Sequence, residues 1–268
     1  MHMDIADLRS FYRTTQGELV RRHLTAAIRR YWSDLSGLDV AGIGYAAPYA
    51  RAFLGEAASL TLLMPAGQGV APWPPDQQNL AALVEEDALP LREQSIDRVL
   101  LVHALEPSVA LRGLMNEVFR ILKPMGEVLA IVPNRRGPWA RRETTPFGTG
   151  RPFTRAQLAH LFESHDFAVE GWSHALFGLP GTGRFALRSA GLLERAGALL
   201  WPGFSGAVLM LATKEILGLK PQGRAFRLLQ AIPELIPSHP SPSPTRARLL
   251  EGRDSFPFFD CRSSGRGR

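Results

Sequence analysis

Residues 41–48, Ala-Gly-Ile-Gly-Tyr-Ala-Ala-Pro, put small side chains at positions 42, 44 and 46 between an apolar run and a proline suited to open a helix. That spacing lets a ligand approach bare backbone at the end of a strand, where the next helix offers free N–H groups and its positive dipole end. The same pattern also serves as a tight strand-to-helix turn. His103 ends a second apolar run, Asp97-Arg98-Val99-Leu100-Leu101-Val102, and Glu106 follows three residues later. An imidazole at a strand tip is suited to general-base work; a backbone partner satisfies it equally well. Glu106 either assists the imidazole or caps the following helix. A third stretch, Asn134-Arg135-Arg136-Gly137-Pro138-Trp139 with Arg141 and Arg142, has the charge to receive an anionic substrate and the composition of a solvated basic loop.

Strands must carry the first two groups to one edge. Residues 38–42, 59–64, 81–84, 97–103, 128–132, 168–172 and 207–212 read as strands. Val20, Leu24, Ala27, Ile28 and Tyr31 recur at helical spacing within a helical region, 4–35. Leu111, Leu114, Met115, Val118, Phe119 and Leu122 do so again, before Pro124 and Gly126. Shorter helices are expected from Pro48 to Leu54, from an N-cap at Thr154 to Ser164, and at 186–200. Residues 65–76 hold four prolines and two glycines and cannot form a regular helix. Strands alternating with helices predict a doubly wound α/β sheet with a helical extension at 1–35, a main domain at 36–217 and a tail at 218–268.

Nine Lys/Arg and four Asp/Glu lie in residues 220–268, so the tail holds +5 of the net charge of +6. The body is nearly neutral, which disfavours a nucleic-acid groove. The tail's prolines and serines predict a basic, disordered segment. Cys261 is the single cysteine, so a disulfide within the chain is excluded and a cytoplasmic location is expected. The first residues lack the pattern of a secretory signal, and no apolar stretch is long enough for a membrane span. No Cys/His metal cluster, nucleophile elbow or phosphate-binding loop occurs.

Residues 86–134 are more specific. They hold Asp87-Ala88-Leu89-Pro90, Ile96-Asp97-Arg98-Val99, His103-Ala104-Leu105-Glu106, Glu117-Val118-Phe119-Arg120-Ile121-Leu122-Lys123-Pro124-Met125-Gly126 and Val132-Pro133-Asn134. In order and spacing this resembles the class I, small-molecule S-adenosylmethionine-dependent methyltransferases. The resemblance covers about residues 36–215. It implies a Rossmann-like seven-stranded methyltransferase sheet whose last hairpin is reversed, with the cofactor across the tips of strands one, two and four. Carried over by position, Gly42, Gly44 and Ala46 border the methionine and ribose, Met64 and Pro65 lie at the ribose, Asp87 and Ala88 flank the adenine, and His103 faces the methionine end and the substrate. Trp73 either covers the adenine or packs on the sheet edge.

The chain departs from the pattern at two places. Val40 stands where relatives carry an acid that holds the amino group, with Asp39 one residue out of phase, and Met64-Pro65 stand where an acid takes the ribose hydroxyls. Weak cofactor binding is the expected consequence. The Asn/Asp-Pro-Pro-Tyr box of amino-nitrogen methylation is also absent. The resemblance therefore implies methyl transfer to a small molecule, with His103 as the candidate base. The alternative is a non-catalytic protein of the same fold acting as a binding or regulatory partner of another protein. An RNA methyltransferase using its tail is disfavoured by the neutral body. Arg184, Arg188 and Arg195 share one helical stripe that suits a membrane surface, although an ordinary helix lying on the sheet has the same pattern.

Overall fold

The computed structural model describes residues 3–142, 144–178 and 205–215. The chain divides into a unit of residues 1–227 and a unit of residues 228–268, and every described residue lies in the first. The helix expected at 186–200, with its arginine stripe, and the tail at 218–268 lie outside the described residues.

Seven strands form one sheet in the order β3-β2-β1-β4-β5-β7-β6. They are β1 (Asp39–Gly44), β2 (Ser59–Pro65), β3 (Ala81–Val84), β4 (Ile96–Val102), β5 (Leu122–Pro133), β6 (Phe167–Ala175) and β7 (Ala207–Lys214). β1 lies centrally and pairs in parallel with β2 and β4, while β7 is antiparallel to both β5 and β6. The seven expected strands are all present, and the last hairpin is reversed. Alternation along the strands sends side chains to two cores. Val40, Leu60, Leu62, Leu100 and Val102 share one face with the N-terminal helices, and Ala41, Ile43, Leu63, Val99 and Leu101 face α4 (Leu111–Ile121) and α5 (Arg155–Glu163). Burial on both faces is why β1, β2 and β4 read as continuous apolar runs.

The carboxyl ends of β1 and β4 are fixed partly from the opposite end. Lys123 Nζ donates to Asp39 Oδ2 at 2.9 Å and Asp97 Oδ2 at 2.7 Å. Asp39 N also donates to Asp97 Oδ2 at 2.9 Å. Asp39 thus belongs to an ion cluster at the amino end of the strands. It does not replace the carboxylate missing at Val40, because its two oxygens are taken by Ser59 Oγ and Lys123 Nζ. Between Leu122 and Glu127 the register of β5 shifts and Met125 takes φ +61, a conformation that glycine adopts more cheaply.

The single helical region expected at 4–35 is two helices, α1 (Ile5–Arg13) and α2 (Thr15–Tyr31). Thr14 causes the break: its Oγ1 donates to Phe11 O at 2.7 Å and accepts from Gly17 N at 3.0 Å, ending one helix and capping the next. Asp4 caps α1 through Ala6 N and Asp7 N. The helix expected from Pro48 is one turn, α3 (Ala47–Ala50). The break turns α1 back across the sheet tips, burying Leu8, Phe11 and Tyr12.

Gly17 permits that return, since a Cβ there would stand 2.1 Å from Phe11 O and 2.6 Å from Tyr12 Cα. Gly17→Ala should cost about 1–2 kcal/mol, the overpacking penalty outweighing the gain in helix propensity. Gly67→Ala, with no atom within 4 Å of the new Cβ, serves as the control. Thermal melts compare them: a loss of several degrees confined to the Gly17 variant is expected, and equal melting temperatures would contradict the tight crossing.

Candidate functional site

In an open parallel sheet the ligand crevice lies beyond the carboxyl ends of the strands, where the order reverses. Here that place is the tip of β1, between β2 and β4. Gly44 ends β1 at φ +81, and Tyr45 N donates to Val102 O at 2.8 Å, tying the turn to β4. A Cβ on Gly44 would lie 2.3 Å from Val102 O and 2.9 Å from Ala104 Cβ. One on Gly42 would lie 2.7 Å from both Ala46 Cβ and Leu62 Cδ2. Gly42, Gly44 and Ala46 are therefore small because the tip of β1 packs against its own neighbours.

Aromatic side chains cover this tip. Three of the chain's four tyrosines converge there: Tyr12 from α1, Tyr45 from the turn and Tyr49 from α3. The Tyr12 hydroxyl lies 2.7 Å from the Tyr49 hydroxyl and 2.9 Å from His103 Nε2. Phe147 sets its edge against the His103 ring, with centroids 5.0 Å apart, and Trp139 lies against Phe147 in turn. Burial raises the pKa of Tyr12, Tyr45 and Tyr49, so all three stay protonated. Ile5 N donates to Gln68 O at 2.9 Å, joining the start of α1 to the loop after β2. α1 thus lies against the tips of β1 and β4.

His103 sits just beyond β4 at φ +51 and is 6% exposed. Burial holds its pKa down to about 3, so the ring is neutral. Its polar partner is the Tyr12 hydroxyl, on a different element from the backbone group that sequence reasoning offered. Gln68 reaches from the loop after β2 to the tip of β4, where its Nε2 donates to His103 O at 3.1 Å, while its buried Oε1 accepts nothing.

Glu106 is 4% exposed, and neither carboxylate oxygen has a hydrogen-bond partner. Burial pushes its pKa up to about 8; the nearby backbone N–H groups of Leu105 and Glu106 only soften that, lacking hydrogen-bond geometry. The idea that Glu106 caps the next helix is thereby corrected. Glu86 holds the chain before α4 instead, accepting from Ser108 Oγ at 2.5 Å and Ala110 N at 3.1 Å. Glu106 and His103 face a cavity of about 20 Å³, walled further by Met3, Pro146, Thr149 and Gly150. That is room for one water-sized group.

The other expected positions are spread around this centre. Met64 and Pro65 are buried at the end of β2, and Asp87 and Ala88 are exposed after β3, with Asp87 against Gly113 of α4. Trp73 is 8% exposed and belongs to the core on the α1–α2 side, the packing role of its two expectations. Arg135, Arg136, Arg141 and Arg142 are exposed around the buried Asn134 and Trp139, as in a solvated loop. Among the described residues no three His, Cys, Asp or Glu side chains could hold a metal, and no helix is long and apolar enough to cross a membrane. Sequence reasoning missed Tyr12, Tyr45, Tyr49 and Gln68. The signal available was clustering: all four tyrosines of the chain lie within residues 12–49, two of them just after the glycine turn.

The site can hold a neutral imidazole, a protonatable carboxyl and an unmet amide acceptor together at one sheet edge, shielded from water. Residues 38–130 match the family model described as a methyltransferase domain. No curated protein sequence matches the chain. Among solved structures, it is similar to an S-adenosylmethionine-dependent methyltransferase of Thermotoga maritima, a possible histamine N-methyltransferase, at 15% identity and TM-score 0.54 over 79% of this chain and 96% of that one. A putative methyltransferase of Haloferax volcanii, solved with its Trm112 activator, gives 18% identity and TM-score 0.53 over 78% and 97% of the two chains. The 1,6-didemethyltoxoflavin N1-methyltransferase of Burkholderia thailandensis, solved with that compound and S-adenosylhomocysteine, gives 18% identity and TM-score 0.52 over 79% and 87%. The chain thus has the class I S-adenosylmethionine-dependent methyltransferase fold, with the methyltransferase-domain family's sequence in residues 38–130.

Proposed function

We propose that this protein is an S-adenosylmethionine-dependent methyltransferase acting on a small molecule, with residues 36–217 as its domain and residues 1–35 as its cover. The observation that carries the reading is the meeting of His103, Glu106 and Gln68 at the tips of β1, β2 and β4. Buried acceptors without donors, Gln68 Oε1 and the Glu106 carboxylate, suit a cofactor that brings an ammonium group and hydroxyls. S-adenosylmethionine supplies, when bound, a methyl group on a sulfonium, open to attack by a nucleophile. The backbone of Gly42, Gly44 and Ala46 would border it, Gln68 would accept from it, Met64 and Pro65 would give an apolar edge, and Asp87 and Ala88 would flank its base.

A neutral His103 is in the form needed to take a proton from a nucleophile, at the Nε2 that Tyr12 now occupies. Tyr12 must leave that nitrogen before His103 can act, so lifting α1 would both admit ligands and free the base. A non-catalytic binding role remains the second reading, favoured by the absence of an acid at Val40 and Met64.

Two measurements test the proposal. In calorimetric titration with S-adenosylmethionine, the chain alone should bind in the high micromolar range. Losing charged ribose contacts removes roughly one to two powers of ten in affinity, and a mostly closed cover lowers it further. Sub-micromolar binding would contradict the closed cover. No binding, with or without candidate small-molecule acceptors, would favour the non-catalytic reading.

The second measurement is stability against pH. Glu106 holds its proton more tightly folded than unfolded, so its contribution is complete below about pH 4.5 and is lost as pH rises to about 8. His103 holds its proton less tightly, so its contribution is complete above about pH 6.5 and is lost as pH falls toward 3. The opposed slopes cancel between pH 4.5 and 6.5, and Glu106 alone acts above. From pH 6.5 to 8 stability should fall by about 2 kcal/mol. Glu106→Gln should flatten that decline. A decline of the same size in the variant would refute the assignment.

A further inference from the structure

Glu106 is the one buried acid among the described residues, and it has no counter-charge. Glu18, Glu56 and Glu117 each hold an arginine, and Asp39 and Asp97 share Lys123. Among the described residues no ion pair or hydrogen bond reaches the Glu106 side chain. A carboxyl left so is costly in either state: ionised it lacks a cation, and neutral it lacks both donor and acceptor. The chain around it is nevertheless built closely. Arg151 N donates to Glu106 O at 3.1 Å, and a Cβ on Gly150 would meet Glu106 Cβ at 2.8 Å. The side chain lines the cavity that His103 also faces.

We propose that Glu106 is the ammonium-binding residue of this site, its carboxylate taking a protonated aliphatic amine that enters the cavity beside His103. The inference rests on the reading of the crevice as a cofactor and substrate site, and it names the charge that one of those ligands presents. A hydroxyl would bring donors without the compensating charge, and a metal ion would find only His103 beside Glu106, short of a three-ligand set among the described residues. The cavity of about 20 Å³ has the size of one such head group and no more. Its neighbours suit the role: Thr149 brings a polar side chain to the cavity, and Met3 and Pro146 give it apolar walls, which strengthen a charge pair. The amine has two sources, the α-ammonium of the cofactor's methionine part or an amine on the substrate.

The test uses the full chain at pH 8.5, in calorimetry and thermal shift. The probes are S-adenosylhomocysteine, its analogue with a hydroxyl in place of the α-ammonium, and ethylammonium with ethanol as its neutral counterpart. If the cofactor supplies the amine, the wild type should bind S-adenosylhomocysteine at least tenfold more tightly than the hydroxyl analogue. Glu106→Gln should erase that preference while keeping the affinity for the analogue. If the substrate supplies it, the two nucleosides should bind alike, and ethylammonium, unlike ethanol, should raise the melting temperature of the loaded wild type but not of the variant. Equal behaviour of charged and neutral probes in the wild type, in both series, would overturn the proposal even if the variant failed to fold. A wild type that binds no nucleoside would count against the methyltransferase reading, and ethylammonium against ethanol on the free protein would then decide the role of Glu106 separately.

Discussion

Placing an imidazole out of water at the tip of β4 obliges the chain to provide it with a partner, and the partner comes from 91 residues earlier in the sequence. The Tyr12 hydroxyl bonds to His103 Nε2 and to the Tyr49 hydroxyl, joining α1, α3 and β4 through one oxygen. Such a shared contact in an apolar setting is stronger than the same contact in water. The position of α1 follows from it, and with α1 the closure of the crevice. Thr14 and Gly17 are the local means: the threonine stops one helix and starts the next, and the glycine lets the two cross closely enough for Tyr12 to reach.

The ground state so built differs from an open ligand groove. Space beyond β1 that the fold uses for ligand is filled by the chain's own rings, and the polar groups a ligand would meet are either tied up or left unmet. His103 is tied to Tyr12, whereas Gln68 Oε1 and Glu106 are unmet. Unmet groups carry a desolvation cost that a ligand would relieve.

The strands were legible because they are buried on both faces, which turns Leu62–Pro65 and Val99–Val102 into uninterrupted apolar runs. α4 was legible from its periodic stripe, and Thr154 as an N-cap, which in the structure forms a capping box with Gln157. The centre of the site was legible only where one segment carries it, as at His103. Tyr12, Tyr49 and Gln68 act through contacts between residues far apart in sequence, and no local period marks such a meeting. Glu106 was visible as a residue but not as an isolated charge, since its lack of partners depends on what surrounds it in space. Asp39 shows the converse: its nearness in sequence to the glycine turn suggested a role at the crevice, and its place at the other end of β1 gives it Lys123 instead.

The claim at the centre of this account is that Tyr12 and ligand compete for the same space and the same imidazole. A crystal structure of the full chain with S-adenosylhomocysteine tests it most directly. The account predicts ligand across the tips of β1, β2 and β4, with the Tyr12 hydroxyl withdrawn from His103 Nε2 and α1 displaced. Ligand bound in that crevice with the Tyr12–His103 contact intact, or ligand seated elsewhere on the domain, would contradict it.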